Sequence, residues 1–152
     1  MVIELEDVAL LGATTIAHSL QIAIMAGRVW RMREKYKVDV PETNGPPEFI
    51  RTFRAHLNTI EWAPVFLPSM WMCGIFFHQG IAASLGVLYI YYREKYFMGY
   101  VQDASKRVPG FFGGARCIKA LIALGMVGII HNLVKTYTGI DFITHVKDTY
   151  SQ

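Results

Sequence analysis

Arg54, Asn58 and Glu61 stand four and three residues apart in the stretch RAHLNTIE, just before WAPVFLPSMWMCGIFFHQ, a run with no Asp, Glu, Lys or Arg. An α-helix turns once every ~3.6 residues, so this spacing puts the three polar side chains on one face. A companion pattern surrounds the stretch REKYFMGY: Tyr89, Arg93, Tyr96 and Tyr100 are four, three and four apart, and the line continues through Asp103 to Arg107. An ionised group facing lipid costs ~2.5–3.5 kcal/mol at mid-bilayer, so two such stripes at the edge of apolar segments call for burial against protein or ligand.

Arg54, Arg93 and Arg107 face one firm acid, Glu61, with Asp103 as a possible second. For a single residue two readings stay open: Arg93 pairs with Glu61 across the bundle, or the arginines snorkel to the headgroups. For the whole set there is surplus positive charge, which suits a small anion bearing one ammonium group and more than one carboxylate. Arginine forks would hold the carboxylates, Glu61 the ammonium, and tyrosine hydroxyls the amide groups.

The elements that must position these residues are read from hydropathy. Hydrophobic residues are 53% of the 152 and charged residues 18%, and mean hydropathy is +0.28. That balance is uncomfortable for a soluble domain of this size. A bilayer span takes ~20 apolar residues. The expectation is a single all-α domain over 1–152, an integral membrane four-helix bundle with spans near 8–27, 58–79, 81–103 and 111–134. Pro64 and Pro68 are expected kink points in the second span. The first segment follows MVIELED, acidic where a signal peptide would be basic, and is expected to be retained as a span.

The breakers DVP and NGPP predict a loop from about Asp39 to Pro47, with helix two starting near Glu48. VPGFFGG is expected to end helix three and turn into helix four, and the polar tail TGIDFITHVKDTYSQ is expected at the surface. Lys and Arg cluster between Arg28 and Arg54 and between Arg93 and Lys119. By the positive-inside rule both basic loops face the cytoplasm and both termini the other side. The basic residues suit anionic lipid heads rather than nucleic acid.

Cys73 and Cys117 lie inside apolar segments and are expected to pack; no disulfide framework is present. His18, His78 and His131 show no pairing at metal-ligand spacing and are expected as buried or interfacial histidines. Trp71, Phe76, Phe77, Phe111 and Phe112 are expected in packing or interface belts. A solute pathway through the membrane would need polar residues across its whole depth, and FLPSMWMCGIFF and GIAASLGVL offer almost none.

In combination, PEFIRTFRAHLNTIE, REKYFMGY, SKR, KYKV and GPPEF resemble the family of membrane-associated proteins in eicosanoid and glutathione metabolism (MAPEG), over nearly the whole chain. The family groups microsomal glutathione transferases and leukotriene C4 synthase with a non-enzymatic lipid-binding scaffold, the five-lipoxygenase-activating protein. The resemblance implies a homotrimer in the endoplasmic reticulum or nuclear envelope, with glutathione as co-substrate between neighbouring subunits, no metal, and a hydrophobic lipid-like electrophile as second substrate. It implies glutathione contacts at Arg33, Arg54, Asn58, Glu61, Arg93, Tyr96 and Tyr100, and a thiolate-stabilising role for Arg107. His56 is either a further hydrogen-bonding contact or a surface or interhelical histidine.

The implied activity is conjugation of glutathione to hydrophobic electrophiles, leukotriene A4 among the candidates, or reduction of lipid hydroperoxides. Glu and Arg at positions 61 and 107 favour the enzyme over the scaffold, while GIDF in the tail keeps the scaffold as the alternative. Trp62, Glu34 and Lys119 depart from the synthase pattern, Lys119 near where the synthase places a bulky aromatic over its lipid substrate.

Overall fold

The computed structural model describes residues 4–139, so the tail beyond Gly139, with all of its GIDF stretch but the glycine, lies outside the described residues. All regular secondary structure among the described residues is helical: α1 (Ala9–Tyr36), α2 (Pro47–Cys73), α3 (Gln79–Gln102) and α4 (Val108–Thr138), with short helical turns at Leu5–Asp7, Gly74–His78 and Ala104–Arg107. Three uninterrupted helical stretches are long and apolar enough to cross a membrane: Ala9–Tyr36, Pro47–Gln102 and Ala104–Thr138. The expectation of four separate spans is therefore corrected in one respect. The second and third are not parted by a loop, because helical residues run from Pro47 to Gln102 without a gap.

That long stretch folds back on itself. Gly74–His78 forms a π turn, and His78 takes an extended backbone (φ −167°, ψ 122°). Its Nδ1 accepts the N–H groups of Gly80 at 3.1 Å and Ile81 at 3.4 Å, satisfying two donors that a helix start leaves unpaired. The hairpin then zips antiparallel, with Phe66 of α2 stacked on Tyr89 of α3 at 3.9 Å between ring centroids.

Local signals set the other boundaries. Pro46 and Pro47 open α2, proline being tolerated where the first N–H has no helical partner. α1 runs about two turns beyond the expected apolar span and closes at Lys37 in the left-handed conformation, whose N–H caps the carbonyls of Arg33 and Glu34. The other end of the third span falls where expected, but the segment that ends it is corrected. α3 stops at Gln102, and Asp103 turns extended to cap the turn Ala104–Arg107 by accepting from Ser105 N at 2.7 Å. VPGFFGG is therefore the first two turns of α4, with its proline in the position helices tolerate.

A core of Leu11, Phe66, Met70, Cys73, Ala82, Tyr89, Cys117 and Leu121 joins all four helices. Both cysteines are free and buried. His18 is fully buried, edge-on to Phe66 and Tyr89, with Nδ1 3.3 Å from Gln21 Oε1. Polar anchors register α1 on its neighbours: Gln21 Nε2 donates to Ile90 O at 2.8 Å, Trp71 Nε1 to Thr15 Oγ1 at 3.0 Å, and Arg28 pairs with Glu94 at 2.6 Å. Between apolar helices such bonds specify register where hydrophobicity alone does not. α4 presses closely on α3, since a Cβ on Gly110 would land on the Tyr96 backbone and one on Gly113 on the Tyr92 ring. Outward-facing Ile16, Leu20, Val87, Val127 and Ile130 are exposed, an apolar exterior suited to lipid.

Candidate functional site

The close approach of α4 to α3 opens a groove at one end of the bundle. It has a volume of about 440 Å³ and is lined by Arg54, Leu57, Asn58 and Glu61 of α2, Tyr96 and Tyr100 of α3, Arg107, and Val108, Phe111 and Phe112 of α4. The two stripes predicted from spacing thus converge, six of their members on one cavity. Arg107 comes to it differently from the expectation. It sits on the turn after α3 rather than on α3 itself, which lets its guanidinium fold back over the Tyr100 ring, 4.7 Å from the centroid.

Arg93 lies behind the groove wall. It is 2% exposed, and its Nη2 donates to Asn58 Oδ1 at 2.9 Å and to Thr59 Oγ1 at 3.2 Å. Its guanidinium packs 4.4 Å from the Tyr96 ring centroid. The direct Arg93–Glu61 pair left open by the sequence is not formed. Asn58 stands between them, accepting from Arg93 and donating from Nδ2 to Glu61 Oε2 at 3.3 Å. Tyr89, the first residue of the α3 stripe, is 1% exposed in the core and lies outside the groove.

Among the described residues, Arg54, Glu61 and Arg107 make no ion pair. The groove therefore presents two cations and one carboxylate, with phenol rings beside them and Phe111 and Phe112 at the α4 edge. Sequence reasoning assigned those two phenylalanines to packing or belts. Phe111 does pack, edge-on to Trp62 at 5.9 Å, but both also line the cavity. Thr59 was missed as well. It falls off the four-and-three stripe, and only the crossing of α2 and α3 brings it to Arg93.

Two expected residues stand apart from the groove within one chain. Arg33 clamps its own loop, Nη1 donating to Asp39 O at 3.1 Å and Glu42 O at 2.7 Å while the guanidinium lies 5.1 Å from the Phe49 centroid. His56 is half-buried and does not line the cavity, and its buried Nε2 has no hydrogen-bond partner among the described residues. No group of three or more His, Cys, Asp or Glu able to hold a metal occurs among the described residues.

The profile of the MAPEG family matches residues 11–127. Microsomal glutathione S-transferase 2 of Bos taurus is 41% identical over 138 residues, covering 91% of this chain and 94% of its own length. The human protein of that name is 39% identical over 138 residues, with the same coverage of 91% and 94%. Leukotriene C4 synthase of Bos taurus is 39% identical over 125 residues, covering 82% and 83%.

Proposed function

Since the chain belongs to the MAPEG family, we propose that it is a membrane transferase that joins glutathione to hydrophobic electrophiles in the groove between α2, α3 and α4. The observation that carries this reading is the groove's charge pattern: Arg54 and Arg107 against the single carboxylate of Glu61, none of them in an ion pair among the described residues. Glutathione carries two carboxylates, one ammonium and one thiol, and so complements two cations and one acid.

In this reading Arg54 holds a carboxylate and Glu61 the ammonium, with the Asn58 amide locked in orientation by Arg93 beneath it. Tyr96 and Tyr100 offer hydroxyls to the peptide amides. Arg107, held over Tyr100, faces the sulfur. A free thiol has a pKa of ~8.5 and is mostly protonated at neutral pH, and a neighbouring guanidinium shifts it toward the nucleophilic thiolate. The sulfur–carbon bond then forms as the carbon–leaving-group bond, or the carbon–oxygen bond of an epoxide such as leukotriene A4, breaks. The thiol proton leaves to solvent beforehand, and an opened epoxide oxygen takes one back. With a lipid hydroperoxide the same thiolate attacks the terminal oxygen, so that an S–O bond forms as the O–O bond breaks and the lipid alcohol leaves with a proton from solvent. The thiol of a second glutathione then displaces the hydroxyl of the resulting sulfenic acid, giving the disulfide and water.

Three copies would assemble in the endoplasmic reticulum or nuclear envelope, each chain crossing the membrane four times with its basic loops cytoplasmic. Arg33, which one chain keeps away from its own groove, would join glutathione bound between neighbouring copies.

The test is turnover by the purified full chain of an aryl halide, leukotriene A4 and a lipid hydroperoxide, each with glutathione. Turnover of at least one that collapses in Arg107→Ala while glutathione still binds supports the proposal. Wild-type turnover in that variant would remove the mechanism. Glutathione binding without turnover of any of the three would favour the lipid-binding scaffold.

A further inference from the structure

Lys95 of α3 and Arg116 of α4 are exposed cations close to the contact between those two helices. A Cβ on Gly113 would land on the Tyr92 ring, so residues 92 and 113 stand at one level of the bundle. Lys95 is three residues beyond Tyr92, and Arg116 three beyond Gly113, in helices made antiparallel by the turn Ala104–Arg107. At 1.5 Å per residue they lie ~9 Å apart along the axis, on opposite sides of that level. A helical side chain leans toward its own N-terminus. Both stems therefore lean back toward the level of Tyr92 and toward each other.

No acid on these helices answers the pair. α4 contains no Asp or Glu, and the one acid of α3, Glu94, is held by Arg28 of α1 at 2.6 Å. In the turn between the helices Asp103 is committed to capping, accepting from Ser105 N at 2.7 Å. Lys95 and Arg116 themselves make no ion pair among the described residues. Two cations that lean together repel, and an anion between them reverses the sign of that interaction.

The surface around the pair indicates what that anion is attached to. Lys95, Tyr91 and Leu88 follow one another at four- and three-residue steps on α3, and Arg116, Ala123 and Val127 at seven and four on α4. All six are exposed, so each helix presents a ridge that is charged at one end and apolar along the rest. Tyr91 meets Tyr92 edge-on at 5.4 Å, a tyrosine pair of the kind that settles at the boundary between headgroups and hydrocarbon. Charge at that boundary above an apolar seam matches a glycerophospholipid, with its phosphate at the boundary and its acyl chains below. The surplus of two cations selects among such lipids. The headgroup of phosphatidylcholine carries its own ammonium, whereas that of an anionic phospholipid leaves the phosphate uncompensated.

We infer that the outer seam of α3 and α4 is a binding site for an anionic glycerophospholipid, its phosphate held between Lys95 and Arg116 and its acyl chains along Leu88 and Val127. None of these residues lines the polar groove, so the site stands apart from it and does not depend on the proposed function. A lipid that bridges the two ridges reinforces the close approach of α4 to α3, and its binding is therefore read as added stability.

The experiment titrates the full chain in detergent micelles with phosphatidylglycerol and with phosphatidylcholine of the same acyl chains, following Tm. Wild type should bind phosphatidylglycerol at least about tenfold tighter than phosphatidylcholine. Lys95→Gln and Arg116→Gln should each weaken that preference, and the two together should bring the lipids to parity. Arg31→Gln with Lys35→Gln removes the same charge from the exposed end of α1 and should keep the preference. Soluble glycerol phosphate at matched concentration should leave Tm unchanged, because it lacks the acyl chains. Parity in wild type, or a preference that survives in the Lys95 and Arg116 double variant, would overturn the inference. A preference lost equally in the α1 variant would reduce it to general charge attraction. A lower molecular mass of the Lys95 and Arg116 double variant in light scattering would assign the seam to a contact between copies instead.

Discussion

Arg93 of α3 donates to Asn58 of α2 at 2.9 Å, so a buried cation that never reaches the groove sets the orientation of an amide that does. With its oxygen committed to Arg93, Asn58 turns its Nδ2 toward Glu61. A charge on one helix thus fixes the donor face of the next and, through it, the carboxylate at the groove wall.

Asn58→Leu removes that link and takes an acceptor from a buried guanidinium. Leaving a buried charged donor less well satisfied costs ~1–3 kcal/mol. The expected outcome is a lower Tm in detergent together with a raised KM for glutathione, because Glu61 loses its partner. Thr59→Val should give a smaller loss of the same kind, since Asn58 still holds Arg93. Unchanged Tm and KM in Asn58→Leu would show that the bond positions nothing.

Arg107 acts on charge, so its removal should appear in pH dependence rather than in affinity. A nearby cation lowers the thiol pKa, so Arg107→Ala raises it. The variant loses rate at neutral pH and recovers it as pH climbs, by about tenfold for each unit of displaced pKa. Rate–pH profiles at saturating glutathione are the measurement. A profile scaled down without displacement would assign Arg107 to substrate positioning.

The GFFGG approach makes a steric prediction. Gly110→Val forces a side chain onto the Tyr96 backbone and separates α4 from α3. Overpacking costs ~1–3 kcal/mol and here also shifts Phe111 and Arg107 away from Tyr96 and Tyr100. Both Tm and turnover should fall. Gly27→Ala on α1, where an added Cβ meets nothing within 4 Å, is the control and should leave Tm equal or slightly higher.

The first loop should loosen in acid. The Glu42 carboxylate accepts the N–H groups of Asn44 and Thr43, each at 2.8 Å. The backbone N–H of Asn44, then that of Thr43, holds the carboxyl below its ordinary value of 4.5. A depressed folded pKa means the stabilisation is present above the ordinary value and is lost as pH falls below it toward the folded one. Amide exchange at Thr43 and Asn44, corrected for intrinsic rate, should lose protection in that window for wild type. Glu42→Gln should show weaker protection throughout and no such step.

Much of the site could be read from spacing. Six of the groove residues lie on two helical stripes, and a helix of fixed pitch turns four-and-three spacing into a shared face without further information. The absence of charge over long runs likewise made apolar helices the only economical arrangement. Periodicity failed where the helix itself ended. Asp103 and Arg107 continue the α3 stripe on paper, but Asp103 captures Ser105 N–H and breaks the helix, so Arg107 arrives from a turn.

What the sequence determined by itself, then, is which side chains share a helical face and which segments are too apolar for water, because both depend on local geometry and composition. Only the tertiary structure decided that Arg93 serves from behind Asn58, that Thr59 supports it, that Phe111 and Phe112 border the groove, and that Arg33 clamps its own loop. Each of those depends on how close two helices come and at what angle. That is set by glycine contacts and crossing hydrogen bonds between residues distant in the chain, which no spacing along one helix encodes.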